Sequence, residues 1–256
     1  MVNNLDLKLI EAERMAAKVI DEYGICLPEH IRIKDIAFHK GARVVEQAIK
    51  HATASIVKAG GHAIIRVSPN DTPERKRFSI AHELGHLLLG HITTIKKVCS
   101  DSDMTNWYQS HQETQANFFA SELILPTKLV EKRCDVKDMG LDPVRQIAKD
   151  FRASLTATAI KFVRLSPAKC AVVYSTNGKV KWFYKSSEWW PFISRDQMLD
   201  KRTLAYDFFA GEPMEPDPSE VDADAWVESR GLDEVVEHSI ASTKYNSVLS
   251  LLYIKD

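Results

Sequence analysis

Residues 80–88 of the chain read Ile80-Ala81-His82-Glu83-Leu84-Gly85-His86-Leu87-Leu88. This H-E-x-x-H pattern lies in a segment that predicts a helix, because Thr72 and Pro73 are typical of a helix start and Gly90 of a helix end. Residues four apart lie on the same face of a helix, so His82 and His86 can converge on one metal ion. The stretch therefore predicts a metal site built on a helix.

Glu83 has the position of a general base in this pattern. Its side chain projects about 100° round the helix from His82, which places it beside a metal rather than on it. There it can take a proton from water and later deliver that proton to a leaving amine. Zinc is the expected ion because it accepts nitrogen and oxygen ligands in tetrahedral geometry. Manganese, which the same ligands can hold, stays open.

A catalytic zinc needs a third protein ligand, and two downstream residues are candidates. His91 follows His86 by five residues, whereas the extended metzincin pattern requires a histidine six residues on. We therefore interpret His91 as a capping residue or as a residue behind the ligands. Glu113 is the better candidate, since it lies on a second predicted helix, from His111 to about Leu125. Asn117, one turn later, can hydrogen-bond a ligating side chain.

Two blocks of the sequence, Arg77–Leu88 and Glu113–Pro126, resemble the signature of the ImmA/IrrE family of metallopeptidases. The resemblance implies a zincin-like, gluzincin-like peptidase in which His82, His86 and Glu113 bind zinc and Glu83 is the catalytic base. One departure is visible: Gln115 stands where many members carry a second acidic residue. Because Glu113 is retained, the ligand set that the resemblance implies is intact.

The sequence leaves two further features of a peptidase site undecided: the group that stabilises the oxyanion and the strand that binds the substrate. A group that stabilises the oxyanion is expected, and Tyr108 and His111 are candidates by their nearness to Glu113. The predicted strand Ala63–Val67 directly precedes the metal helix. It is either an edge to which an extended substrate adds by backbone pairing or an internal strand of the sheet.

The fold class that the sequence predicts is α+β, in three parts. Residues 1–135 form the peptidase domain, with helices at Leu5–Tyr23 and Ile33–His39. Residues 136–165 form a helical segment of helix-turn-helix type, in which Ser154 caps the second helix. Residues 166–256 form a small antiparallel α+β domain, with a role in sensing or substrate selection as one hypothesis.

The C-terminal region carries its own signals. Asn177-Gly178 between two apolar runs indicates a β-hairpin, and Val248–Ile254 indicates a terminal strand. The acidic segment Glu212–Asp224 contains no Lys or Arg and predicts a solvated loop. The aromatic residues Trp182, Trp189 and Trp190 either line a ligand pocket or belong to a core.

The segment Pro143–Leu165 has two interpretations. It carries more basic than acidic residues, which allows a DNA-binding helix pair. Its second helix is rich in Ala, Thr and Leu rather than in the Asn, Gln and Arg that read bases. A helical subdomain that packs on the peptidase or docks a protein substrate is therefore the favoured interpretation, and direct DNA binding is the weaker one.

Composition limits the partners and the compartment. The 256 residues carry a formal net charge of −1, which gives no reason to expect a nucleic-acid or membrane surface as partner. The four cysteines are scattered without metal or disulfide spacing, and the first residues lack a secretory pattern. We therefore expect a cytoplasmic protein with no membrane segment.

Two functions of different classes agree with these features. The resemblance implies a regulatory protease whose substrate is a helix-turn-helix transcriptional repressor, cut to release genes of stress response or of mobile elements. The alternative is a non-proteolytic protein that uses the zincin fold as a scaffold and sequesters a regulator. An intact Glu83 favours the protease, since a purely structural site does not need a base.

Overall fold

The computed structural model of the protein describes residues 4–49, 53–59, 61–92, 96–99 and 111–255. The chain divides into two compact units, one of residues 1–129 with 149–154 and one of residues 130–148 with 155–256. The mixture of helices and sheets confirms the predicted α+β class. The division into three domains with boundaries at 135 and 165 stays a proposal.

The first unit combines helices with a four-stranded sheet. Its described helices are α1 (Asn4–Glu22), α2 (Ile33–His39), α3 (Pro73–Leu88), α4 (His111–Ile124) and α5 (Thr127–Val130), with a 3₁₀ turn at Pro28–His30. Its described strands are β1 (Ala42–Glu46), β2 (Ala54–Ala59), β3 (His62–Val67) and β4 (Lys96–Cys99). The helices predicted at the positions of α1, α2 and α4 are confirmed, with ends within one residue of those expected.

Helix α3 begins and ends where the sequence predicts. The Thr72 hydroxyl accepts a hydrogen bond from the backbone N–H of Arg75 at 3.3 Å, and Pro73 opens the first turn. Beyond the last turn Gly90 has φ +72°, a conformation that glycine adopts without steric cost. The residues from Ser79 to His86 are all buried. The central turns of α3 are therefore enclosed by the unit, and so are the polar side chains they carry.

The sheet of the first unit has the strand order β1-β3-β2-β4. Strand β3 pairs in parallel with β1, where Ala42 is opposite Ala63, and antiparallel with β2, where Ala54 is opposite Val67. The alternative in which Ala63–Val67 is a free edge for substrate is therefore wrong, because both sides of this strand are already paired. Among the described strands, β1 and β4 form the edges.

Helices α1, α3 and α4 pack on one another beside the sheet. Helix α1 buries Ala12, Ala16, Val19 and Ile20. Gln115 on α4 donates from its side-chain amide to the backbone carbonyl of Lys8 in α1, at 3.2 Å. Gln115, the residue that departs from the pattern described above, therefore has a structural role, since its amide links α4 to α1.

The second unit is built on a five-stranded antiparallel sheet. Its described helices are α6 (Leu141–Phe151), whose last turn lies in the first unit, α7 (Leu155–Leu165) and α8 (Leu204–Ala210). Its strands are β5 (Cys170–Thr176), β6 (Lys179–Lys185), β7 (Ser219–Asp222), β8 (Glu234–Ser242) and β9 (Ser247–Tyr253), with 3₁₀ turns at Glu131–Arg133, Ala223–Ala225 and Thr243–Tyr245. The strand order is β6-β5-β9-β8-β7.

The predicted hairpin and terminal strand are both present. Asn177 and Gly178 connect β5 to β6 with φ of 52° and 70°, the pair of positive values that a tight two-residue hairpin turn of type I′ requires. Strand β9 lies between β5 and β8 and is buried from Ser247 to Leu252. Local turn chemistry therefore determined the hairpin, whereas the central position of β9 comes from long-range pairing.

A buried carboxylate joins α8 to the sheet. Glu237 on β8 is fully buried and accepts the backbone N–H groups of Leu204 and Ala205 at the start of α8. It also accepts the indole N–H of Trp226 at 2.7 Å and the hydroxyl of Ser239 at 2.6 Å. Burial raises the pKa of this carboxyl, and the four donors oppose that effect. The network fixes α8 on one face of the sheet.

The prediction of a solvated loop over Glu212–Asp224 is wrong for its second half. Ser219–Asp222 forms β7, which pairs with β8, and Val221 and Ala223 are buried. The charged residues that suggested a loop alternate with these apolar side chains. An edge strand with one solvated face therefore has the composition that we interpreted as a loop.

The tryptophans do not form one pocket. Trp189 is buried in the core of the second unit, whereas Trp190 is 55% exposed. The ring of Trp182 stacks on that of Tyr174 across the β5–β6 pair, with centroids 5.0 Å apart. The core interpretation therefore holds for Trp189 and the pocket interpretation has no support.

The helix pair α6 and α7 is present, but the central turns of its second helix are buried. Residues from Thr158 to Val163 are buried, including Lys161 at 2% exposure, and α7 packs against β5 and β6. A recognition helix must present its side chains to base edges in the major groove. The helical-subdomain interpretation is therefore favoured over base reading by α7. None of the described helices has both the length and the apolar composition of a membrane-spanning segment.

The start of α6 is held by a buried histidine. The backbone N–H of Leu141 donates to Nδ1 of His238 on β8 at 3.0 Å, and a Cβ on Gly140 would lie 3.0 Å from the same nitrogen. Burial lowers the pKa of His238 below its ordinary 6.5; Asp142 and Asp217 oppose this effect and Arg145 adds to it. The ring accepts this hydrogen bond only while Nδ1 carries no proton.

We expect His238→Asn to make the stability of the protein less dependent on pH. The asparagine oxygen can still accept from Leu141 but does not titrate. Because the folded pKa is depressed, the wild-type contribution is complete above pH 6.5 and is lost as the pH falls through the folded value. Between about pH 7.5 and about pH 5.5 the wild type should lose about 1 kcal/mol more unfolding free energy than the variant. Urea unfolding followed by circular dichroism measures this difference, and equal losses would contradict it.

Candidate metal centre

Three side chains converge between α3 and α4. Nε2 of His82 lies 3.0 Å from Nε2 of His86 and 3.1 Å from Oε2 of Glu113. Nε2 of His86 lies 3.3 Å from the same carboxylate oxygen. Both histidines are fully buried and Glu113 is 7% exposed. Among the described residues this is the group whose ligand atoms lie close enough to hold a metal ion.

The three atoms fit a tetrahedral zinc ion. Ligands at about 2.0–2.1 Å from such an ion lie about 3.3 Å from one another, close to the distances found here. A carboxylate oxygen and two unprotonated imidazole nitrogens all carry lone pairs. In contact they repel one another unless a cation or a proton lies between them. The geometry and the chemistry of the donors therefore both suit a divalent metal.

Asn117 orients the first imidazole. Nδ1 of His82 lies 2.9 Å from Oδ1 of Asn117, and both residues are fully buried. The amide oxygen can only accept, so Nδ1 of His82 carries the proton. The lone pair of the neutral ring then lies on Nε2, the atom that faces Glu113. The amide on α4 thereby selects the tautomer that a metal ligand needs.

The end of α3 brings His91 behind the second imidazole. The positive φ of Gly90 turns the chain back, and the backbone N–H of His91 donates to the carbonyl of His86 at 3.0 Å. This bond is typical of a helix C-terminus that ends at glycine. The two Nδ1 atoms then lie 3.0 Å apart. If Nδ1 of His86 donates to His91, Nε2 of His86 is left with its lone pair towards His82 and Glu113.

Close packing of the two helices depends on Gly85, which the sequence analysis did not single out. A Cβ at this position would lie 3.0 Å from Cδ1 of Phe119 and 3.3 Å from the Cα of Ala116. Real side chains rarely approach so closely, so only glycine lets α4 come this near. The sequence signal was the pair of small residues, Gly85 and Ala116, on the two helices. Their contact could not be inferred before the helices were known to face each other.

The remaining predicted site residues have different positions. Glu83 is fully buried on α3, directly after His82 and three residues before His86. His111 is the first residue of α4 and is exposed, two positions before Glu113. Tyr108 lies outside the described residues. The roles of Glu83, His111 and Tyr108 stay predictions.

Comparison with known proteins agrees with this geometry. Residues 37–162 match the family model described as the IrrE N-terminal-like domain, a peptidase family, and this range contains β1 to β4, α3 to α6 and most of α7. Over these residues the chain belongs to the ImmA/IrrE family. The family is one of metallopeptidases, so the resemblance seen in the sequence is confirmed.

The fold has a solved counterpart. A structure of a Mycobacterium tuberculosis transcriptional regulator matches 96% of this chain and 75% of its own, with a TM-score of 0.60 and 16% sequence identity. At that identity the likeness shows a common fold alone. A comparison with curated proteins gives no match.

Substituting Gly85 should damage the candidate metal centre of this IrrE-like domain. In Gly85→Ala the new methyl must displace Phe119 or the α4 backbone, at a cost of about 1–3 kcal/mol that the better helix propensity of alanine offsets in part. Moving α4 also moves Glu113 away from the histidines. We expect weaker zinc binding in Gly85→Ala and a larger loss in Gly85→Val, measured by chelator competition. Unchanged zinc affinity in both folded variants would contradict this account.

Asn117 offers a second test with a matched control. Asn117→Ala removes the acceptor that fixes the His82 tautomer, and loss of such a partner typically weakens metal binding by about 10- to 100-fold. Asn117→Asp keeps an acceptor at the same place and should retain affinity close to that of the wild type. Zinc competition measurements on the three proteins decide the matter. Equal affinities for alanine and aspartate would show that this hydrogen bond has no effect on the metal.

Proposed function

We propose that this protein is a zinc-dependent endopeptidase. The observation that supports it best is the buried triangle of His82, His86 and Glu113, with Glu83 on the same helix, in a chain of a metallopeptidase family. Manganese remains an alternative ion, since the same nitrogen and oxygen donors hold it.

In this proposal His82, His86 and Glu113 hold the metal. When bound, the ion supplies Lewis-acid polarisation of the substrate carbonyl and a lowered pKa for water. Asn117 and His91 keep the two imidazoles in the ligating tautomer. These two contacts fix the ring planes before substrate binds, so the ligands need little rearrangement.

Glu83 carries the proton in the proposed reaction. Its carboxylate removes a proton from the water that attacks the peptide carbonyl carbon. The same proton then passes from Glu83 to the nitrogen of the leaving amine as the C–N bond breaks. The products are a new carboxyl terminus and a new amino terminus, and Glu83 returns to its starting charge. Complete burial of Glu83 supports this role, because a carboxylate is costly to bury without a task.

We infer that the substrate is a helix-turn-helix transcriptional repressor and that its cleavage releases stress-response or mobile-element genes. Two facts support this inference: the family of the peptidase segment and the name of the matched structure, a transcriptional regulator. A cytoplasmic location is part of the same proposal, since such a repressor works on the chromosome. The buried α7 agrees with a protein that acts on a regulator rather than on DNA itself.

The test compares the wild type with Glu83→Gln, using Glu74→Gln at the start of the same helix as the matched control. We expect all three proteins to hold about one metal ion and only Glu83→Gln to lose cleavage of the co-encoded repressor, by about 100-fold or more. Metal content is measured by elemental analysis and cleavage by mass spectrometry of the products. Full activity of Glu83→Gln would refute the proposed base.

The alternative of a sequestering protein gives a different pattern in the same experiment. In that case the wild type and Glu83→Gln both bind the repressor and neither cuts it. Repressor cut by the wild type alone therefore separates catalysis from sequestration, and the lengths of the fragments report the cleavage site.

A further inference from the structure

Helix α1 has a second face that no other part of the described chain covers. It consists of six residues along the side of the helix opposite its buried face: Leu7, Ile10, Glu11, Arg14, Met15 and Lys18. Leu7 is 56% exposed and Ile10 is 39% exposed. The six side chains line a shallow cavity of about 300 Å³. We call this set the α1 outer face.

The charged members of the α1 outer face have no partner within the described residues. Glu11, Arg14 and Lys18 make no described hydrogen bond or ion pair. Elsewhere on α1, by contrast, Asp21 pairs with Lys128 and Glu22 with Lys40. A single exposed leucine on a helix is ordinary. The α1 outer face is not of this ordinary kind, because its apolar side chains alternate with unpaired charges of both signs.

The α1 outer face is complementary to itself. Two identical α1 helices can pack antiparallel about a two-fold axis that passes between residues 12 and 13. Residues of the two helices then face each other when their numbers add up to 25. Glu11 then faces Arg14 of the other helix, and this pair occurs twice. Ile10 faces Met15, also twice, so an apolar contact lies beside each ion pair. Leu7 faces Lys18, whose aliphatic stem can cover an apolar neighbour.

We propose that a second copy of this chain docks on the α1 outer face through antiparallel α1–α1 packing. The complementarity of Glu11 and Arg14 fixes both the register and the antiparallel direction, because a parallel pairing brings like residues together. The net charge of −1 for each chain adds almost no repulsion between copies. This dimer is independent of the metal centre.

The small size of the surface limits the strength of the dimer. Residues 7–18 span only about 17 Å of helix, so the contact is smaller than the roughly 800 Å² per partner of a standard stable interface. A dissociation constant in the range of tens of micromolar is the expectation. Ion pairs at the surface are screened by salt, so the dimer should weaken several-fold between about 50 mM and about 500 mM NaCl.

Sedimentation of the full chain tests the proposal with a charge swap. Glu11→Arg places two like-charged contacts across the axis, and so does Arg14→Glu. Each single variant should raise the dissociation constant by about tenfold or more. The double variant Glu11→Arg with Arg14→Glu restores opposite charges at both contacts and should recover dimerisation. Rescue of this kind requires residues 11 and 14 to face each other in two copies.

Two further variants complete the experiment. Lys149→Glu makes the same charge change as Arg14→Glu at an exposed site on α6 and should leave the dimer unchanged. Ile10→Ser removes apolar contact without altering charge and should weaken association. Circular dichroism confirms that each variant is folded. A wild type that stays monomeric up to about 500 µM overturns the proposal, and so does a double variant no better than the single ones.

Discussion

The close approach of α3 and α4 at Gly85 is the contact on which the candidate metal centre depends. Glycine lets the Phe119 ring and the Ala116 backbone lie against α3, and this distance brings Glu113 to the two histidines. Metal ligands tolerate only small displacements, so a single methyl group at the helix contact bears directly on the chemistry. The distance between α3 and α4 is therefore constrained both by packing and by the position that Glu113 needs.

The same helix pair and the turn after α3 supply the groups that orient the two candidate histidine ligands. Asn117 lies one turn beyond Glu113 on α4 and reaches His82. The reversed chain after Gly90 brings His91 to His86. Each imidazole is thus oriented by a neighbour that ordinary helix geometry positions. Helix periodicity places Asn117, and the turn at the C-terminus of α3 places His91. The two imidazoles can be buried because each has a hydrogen-bond partner.

In the second unit, buried polar side chains hold helices on the sheet. Glu237 collects four donors and fixes α8, and His238, the next residue on the same strand, accepts from the start of α6 on the other face of the sheet. Alternation along β8 sends these neighbours in opposite directions. The helices on both faces of the sheet are therefore held from one strand. Helix α7, by contrast, is enclosed because it packs against β5 and β6.

Local signals in the sequence determined α3, its capping Thr72, the helix carrying Glu113 and the hairpin at Asn177, because caps, glycine turns and helical periodicity act over a few residues. They also marked His82, His86 and Glu113, the residues of the candidate metal centre. Strands β1, β2, β4, β7 and β8 were not anticipated, since short strands with mixed composition gain their stability from partners far along the chain. Only the tertiary structure decided that β3 is internal and that Gly85 meets Phe119. Both facts depend on which elements pack against each other, and contacts between residues far apart in the chain leave no local signal in the sequence.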